Sequence, residues 1–213
     1  MEQSRARREL VKKLRRKGIW DESVLEAVRV VPRHLFVPPE SVHLSSLDEA
    51  LPIGFQQTIS QPYVVALMTQ ALAPKPVDRV LDVGTGSGYQ VAILAGLCAE
   101  VLTIEVVPEL SNAARARIRD LAIQNVRFVI GDGSQGLSDY ARFDGILVAA
   151  AAPDPPQPLL DQLAEGGRMV IPIGSRKEQR LTLIKRIDSD LIRTDLGSVR
   201  FVPLVGPHGF VDT

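Results

Sequence analysis

Residues 79–95 read RVLDVGTGSGYQVAILA, and the fold is decided there. Val80, Leu81 and Val83 form a short apolar run of strand type, glycines follow at 84, 86 and 88, and 89–97 carries the apolar spacing of a helix. A buried strand that enters a glycine turn and leaves as a helix suits ligand binding. Glycine lets the backbone turn tightly and approach a bound molecule without a Cβ in the way. The spacing is GxGxG, with Tyr89 where a dinucleotide fingerprint has its third glycine or alanine, and no lysine follows the glycines. Both features argue against a pyrophosphate ligand.

Downstream, the same rhythm continues. Apolar runs at 101–104, 126–130, 145–148 and 169–173 predict further strands buried on both faces, with helices over 108–122 and 158–163 between them. Such alternation predicts an α/β fold, a Rossmann-like doubly wound sheet that is mostly parallel with helices on both faces. The tail differs. Residues 180–187 and 191–205 read as longer strands joined near 188–190, hence an antiparallel C-terminal edge.

Upstream, 4–17 carries Arg5, Arg7, Arg8, Lys12, Lys13, Arg15, Arg16 and Lys17 around an apolar stripe of Leu10, Val11 and Leu14, predicting a helix that Gly18 can end. Its basic face reads either as a solvated face or as an anion or RNA contact. A second helix runs from Ser23 to the stop at Pro32. Residues 38–61 read as a long loop, and Pro62 opens a helix reaching Leu72. The segment 56–61 thus stands beside a helix N-terminus, where backbone N–H groups can receive an anion. The whole is expected to be one domain, 1–213, with 1–75 as a helical and substrate-loop extension and 76–213 as the Rossmann-like core.

Composition excludes several classes. With 213 residues, 45% of them apolar and 23% charged, the chain is long enough for one sizeable core. Twenty-five basic and 25 acidic residues leave no net field to draw it to nucleic acid or anionic lipid. The single Cys98 excludes an internal disulfide, and the scattered His34, His43 and His208 share no metal-ligand spacing, so no metal is expected. No apolar stretch approaches a membrane span and no secretory leader is visible, which predicts a cytoplasmic protein.

Three acids stand at successive strand ends: Asp82, Glu105 and Asp132, the last in Gly131-Asp132-Gly133. A carboxylate at Glu105 can accept from two ribose hydroxyls, and a backbone amide with Asp132 can meet an adenine edge. An acidic lining suits a cationic ligand with ribose, adenine and an amino group, which points to S-adenosylmethionine.

The sequence resembles the protein-L-isoaspartate O-methyltransferase family over nearly its entire length. The resemblance rests on VPRHLFVP (31–38), LPIGFQQTISQPYVVALMTQAL (51–72), LDVGTGSGYQVAILA (81–95), GDGSQG (131–136), FDGILVAAAAP (143–153), LAEGGRMVIPIG (163–174) and VRFVPLVG (199–206). It implies a mixed seven-stranded sheet with extra N-terminal helices. It also implies a donor site of Asp82, Gly84, Thr85, Gly86, Ser87, Gly88, Glu105, Asp132 and Gly133. Catalytic positions would be Ser60, Thr58 and Gln61, and Ile53, Gly54, Val202, Pro203 and Leu204 would hold the substrate peptide. Isoaspartyl proteins and peptides would be the partners, without nucleic acid or membrane, and the enzyme a monomer. Gln56 departs from the family, which often has glycine there.

The chemistry is consistent with these residues. A substrate carboxylate is already ionised at neutral pH, so methylation needs orientation and desolvation but no general base. The alternatives are a methyltransferase for small carboxylates, a nucleic-acid methyltransferase and a noncatalytic donor-binding protein. Against the second, Asp154-Pro155-Pro156 is followed by Gln157, not by an aromatic residue. Arg33 remains open between a structural anchor and a substrate contact.

Overall fold

The structure, a computed structural model, describes residues 2–210; Met1 and 211–213, the outer limits of the expected domain, lie outside the described residues. In chain order it runs α1 (Glu2–Arg16), α2 (Glu22–Val30), β1 (Leu51–Gly54), β2 (Gln57–Ile59), α3 (Pro62–Leu72), β3 (Arg79–Val83), α4 (Tyr89–Ala95) and β4 (Glu100–Glu105). There follow α5 (Pro108–Asp120), β5 (Val126–Ile130), β6 (Phe143–Val148), α6 (Gln157–Gln162), β7 (Leu163–Gly174), β8 (Gln179–Ile187) and β9 (Asp190–Val199).

Seven strands form one sheet in the order β5-β4-β3-β6-β7-β8-β9. The pairs from β5 to β7 are parallel, and β7–β8 and β8–β9 are antiparallel. The chain starts in the middle at β3, winds outward through β4 and β5, then returns to the other side of β3 as β6. That reversal opens a crevice at the carboxyl ends of β3 and β6, where ligands bind in open α/β sheets.

Strand alternation sorts the core into two layers. Val80 and Val101 pack with residues of α1 to α5 on one face, while Leu81, Val83, Leu102 and Ile104 pack with Leu159 and Leu160 of α6 on the other. The N-terminal helices share the first of these layers through Leu10, Leu14, Val24 and Leu25. Local chemistry sets their ends: Asp21 caps α2 by accepting from the Ser23 and Val24 amides, and Pro62 sits in the first turn of α3. Much of the basic face of α1 is spent on internal partners. Lys12 pairs with Glu9, Arg15 with Glu22 and Lys17 with Asp48, and Arg7 donates to the Val30 carbonyl.

Two expectations need correction. The stretch 38–61 is not a loop throughout: it contains a 3₁₀ turn at Pro39–Leu44 and the β1–β2 hairpin. The hairpin turns on Phe55 and Gln56, both at positive φ (51° and 58°), a pair without the Asn-Gly signature such turns usually carry. The last strand ends at Val199 and does not reach Val205. Beyond it, Phe201 exchanges two hydrogen bonds with the Gln179 side chain, 2.7 and 3.2 Å, and 202–204 runs beside Ala151 as an isolated bridge.

Candidate active site

The glycine turn sits at the carboxyl end of β3, with Gly84, Gly86 and Gly88 all in the left-handed region at φ of 94°, 51° and 87°. A side chain at Gly88 would also meet Ala114 of α5 at 3.0 Å, so glycine there permits close helix packing as well as the turn. The turn forms the floor of a cavity whose walls include Thr85, Ser87, Glu105, Gly133 and Ala149.

Glu105, at the end of β4, is buried and divides its carboxylate. Oε2 accepts from the Gly86 amide at 2.8 Å and Oε1 from the Val107 amide at 3.0 Å. Asp82 lies beneath the turn and is fully buried. Its Oδ2 accepts from Thr103 Oγ1 at 2.7 Å, and Thr103 Oγ1 in turn meets Thr85 Oγ1 at 2.5 Å. Its Oδ1 has no hydrogen-bond partner among the described residues. Burial pushes the Asp82 carboxyl up to about 7, the Thr103 hydrogen bond opposing and the nearby Glu105 charge adding to the shift.

Asp132 follows β5. It caps its own 3₁₀ turn, Oδ1 accepting from the Ser134 amide and Oδ2 from Gln135 Nε2, both at 2.8 Å. Burial would raise its carboxyl, but these bonds and the charge of His208 hold it below the usual value. Gly133 beside it faces the cavity, whereas Asp82, Gly88 and Asp132 are absent from the described lining. Val106 and Val205 also line it and were not anticipated, and Phe201 lines it as well.

A second depression, about 970 Å³, runs along the other side, bounded by Gln61, Tyr63, Leu67, Arg176 and 196–203. The two share a wall of six residues: Thr58, Ser60, Ala149, Phe201, Val202 and Pro203. Of the expected catalytic residues, Thr58 and Ser60 stand on this wall and Gln61 on the groove side alone. Leu204 faces the inner cavity only. Ile53 and Gly54 line neither; Ile53 Cδ1 instead lies 3.6 Å from where a Gly86 side chain would begin, and Gly54 is exposed in the hairpin.

The wall is held from behind. Arg33, only 3% exposed, donates to the carbonyls of Ser45, Leu47, Glu49 and Ser60 at 2.8 to 3.3 Å. It is a structural anchor. Asp48 accepts from the Tyr63 amide at 2.8 Å at the start of α3 and pairs with Lys17 at 2.6 Å. Ser60 and Thr58 do not cap α3, whose N-cap is Gln61 without a side-chain bond. On the far side, Ala151 donates to the Val202 carbonyl at 2.8 Å and Leu204 to the Ala151 carbonyl at 2.7 Å, fixing 202–204 against the sheet.

A glycine turn with Glu105 beside it at the reversal between β3 and β6, and a separate groove across a shared wall, is the arrangement expected of a Rossmann-like S-adenosylmethionine-dependent methyltransferase. A family model described as Protein-L-isoaspartate(D-aspartate) O-methyltransferase matches residues 5–209, and the chain belongs to that family. It is 52% identical over 206 residues to the protein-L-isoaspartate O-methyltransferase of Dictyoglomus turgidum, covering 97% of this chain and 94% of that one. With the Roseiflexus castenholzii enzyme of the same name it shares 50% over 211 residues, 99% and 96% of the two chains. A solved protein-L-isoaspartate O-methyltransferase superposes with a TM-score of 0.85 at 28% identity, covering 95% of this chain and 67% of that one. A Plasmodium falciparum structure titled as a beta-aspartate methyltransferase in complex with S-adenosyl-L-homocysteine gives 0.81 at 29%, covering 92% and 97%.

The residues present fit that donor. Glu105 presents a carboxylate at the cavity wall, which suits a ligand bearing hydroxyl donors, and the Asp82 carboxyl, with Oδ1 unpartnered among the described residues, lies buried beneath the turn. Among the described residues no group of His, Cys, Asp and Glu could hold a metal ion, and no helix is long and apolar enough to cross a membrane.

Proposed function

We propose that this chain methylates the free carboxylate of L-isoaspartyl residues in proteins and peptides, with S-adenosylmethionine as donor. The observation that carries the reading is the shared wall. Thr58, Ser60, Ala149, Phe201, Val202 and Pro203 separate the donor cavity from the groove, and none of them is ionisable. A nucleophile that had to be deprotonated would need a base there. A carboxylate, with a pKa near ~4, arrives already ionised.

S-adenosylmethionine supplies a methyl group on a positively charged sulfur, ready for attack. Asp82, the turn from Gly84 through Thr85, Gly86 and Ser87 to Gly88, Glu105, Asp132 and Gly133 are assigned to holding it. Glu105 takes the ribose hydroxyls and Asp132 shapes the adenine end by fixing Gly133. Ser60 and Thr58 orient the substrate carboxylate, with Gln61 behind them. Orientation by neutral hydroxyls suits the reaction, because negative charge is lost as the ester forms and a strong cationic partner would hold the substrate more than the transition state. Val202, Pro203 and Leu204 offer main chain to an extended peptide, and Ile53 and Gly54 shape the hairpin carrying Thr58. Main-chain recognition leaves flanking side chains largely unread, as a repair enzyme requires. The enzyme is read as a monomer acting without nucleic acid, and sedimentation at micromolar concentration checks the first point.

The test is methyl transfer from labelled donor to two peptides of identical sequence, one with an aspartyl and one with an isoaspartyl linkage. Base-labile label on the isoaspartyl peptide alone is the expected result. No label on either, with donor binding intact, overturns the substrate assignment and directs the search to small carboxylates.

A further inference from the structure

On the N-terminal side, a third depression of about 320 Å³ lies between α1, α2 and the 33–46 segment and meets the donor cavity at Tyr89. Among the described residues, six buried side-chain polar atoms lack a hydrogen-bond partner, and three of them belong to residues lining this one depression: Arg7 Nε, Arg33 Nε and the Tyr89 hydroxyl. The coincidence is informative because buried donors are nearly always satisfied. Both Nη atoms of Arg33 are engaged by four carbonyls, and Arg7 Nη1 donates to the Val30 carbonyl. Facing the depression are therefore residues that still carry the Nε donor of each arginine and a phenol only 1% exposed.

We propose that this depression binds a small organic anion, a carboxylate or phosphate monoester with an apolar body. Two guanidinium groups line it, and no carboxylate does among the described residues. Asp48, the acid whose charge acts on Arg33, is turned to Lys17 and the Tyr63 amide. Burial pushes the Tyr89 hydroxyl up to about 12, so it stays protonated and donates. Leu10, Val28, Val31 and Val42 supply an apolar wall, which distinguishes the site from one for a bare inorganic ion. The occupant would touch two residues that border the working site, since Arg33 also holds the Ser60 carbonyl and Tyr89 also lines the donor cavity.

Calorimetric titration of the full chain with hexanoate, hexyl phosphate and 1-hexanol tests this. At least one anion should bind with one-to-one stoichiometry and about tenfold or more tighter than hexanol, as one charge-assisted hydrogen bond implies. Arg7→Met should weaken that anion about tenfold and leave S-adenosylhomocysteine binding unchanged. Which of the two binds better separates a carboxylate from a phosphate head. Saturation by neither anion, or an affinity indifferent to Arg7→Met, overturns the proposal, and the second result would move the anion to the acceptor groove.

Discussion

The donor cavity and the acceptor groove meet along six residues yet are built by opposite means. The donor side is centred on one continuous strand, turn and helix plus the end of the neighbouring strand, and the polar side chains of that centre, Thr85, Ser87 and Glu105, are buried. The groove gathers Thr58 and Ser60, Arg176 and 196–203 from distant parts of the chain, and Thr58 is exposed. Its order depends on remote anchors: Arg33 on Ser60, Asp48 on Tyr63, Gln179 on Phe201. One half is shaped locally by what glycine and a parallel sheet permit. The other is only as well placed as a few long-range hydrogen bonds make it.

The largest effect should come from the carboxyl buried beneath the donor turn. Asp82 titrates near 7 in the fold against 3.8 without it, so the folded state holds a proton that the unfolded chain has released. Its contribution to stability is therefore complete below about pH 4 and is lost as pH rises to about 7, levelling off above. At 1.36 kcal/mol per unit the ceiling is about 4 kcal/mol. Asp82→Asn should abolish this slope, so the unfolding free energies of the two proteins without donor, compared from pH 4 to 8, should diverge with the variant the more stable at high pH. Parallel curves would show that the carboxylate is solvated and that the donor side is less enclosed than described.

Next comes Glu105→Ala, which removes a carboxylate accepting from Gly86 and Val107. Donor affinity should fall about a hundredfold, the equivalent of about 2.7 kcal/mol, because two charge-assisted bonds are lost. Affinity for S-adenosylhomocysteine by calorimetry is the measurement. An unchanged value would break the assignment of the ribose to Glu105.

Arg33→Met probes the other half. Four carbonyls lose their donor, and the acceptor side should loosen by about 2 kcal/mol as a net cost. Hydrogen exchange should quicken over 45–49 and around 60 while the strands β3 and β4 stay protected. Uniform quickening across the sheet would mean that the two halves are not separable.

This asymmetry also explains what could be read from the sequence. The strand over 80–83, its glycines and Glu105 are signalled by their immediate neighbours, so the parallel sheet and donor turn were legible. The β1–β2 hairpin was not: its strands are four and three residues long, and Phe55 and Gln56, exposed at the turn, hold positive φ though neither is a residue type that favours it. The end of β9 was hidden for a related reason. Residues 200–205 are as apolar as a strand, but Phe201 finds its partner in a glutamine side chain, a pairing that no hydrophobic pattern encodes. Asp132 is ambiguous in the sequence because a short-range cap and a ligand contact call for the same residue type at the same place.

The smallest effect should fall on the shared wall itself. Ser60 has its carbonyl fixed by Arg33 at 3.1 Å, so replacing its side chain by alanine leaves that anchor in place. Only a neutral hydroxyl is lost, and a neutral hydrogen bond contributes about 1 kcal/mol net, or roughly five- to tenfold in rate if it acts mainly in the transition state. Ser60→Ala should therefore lower kcat toward an isoaspartyl peptide by about that factor, with the affinity for S-adenosylhomocysteine unchanged and the melting temperature within a degree or two. A rise in KM alone would assign the hydroxyl to peptide binding in general. A parallel fall in donor affinity would mean that the wall belongs to the donor cavity and that the groove begins further out, at Gln61 and Tyr63.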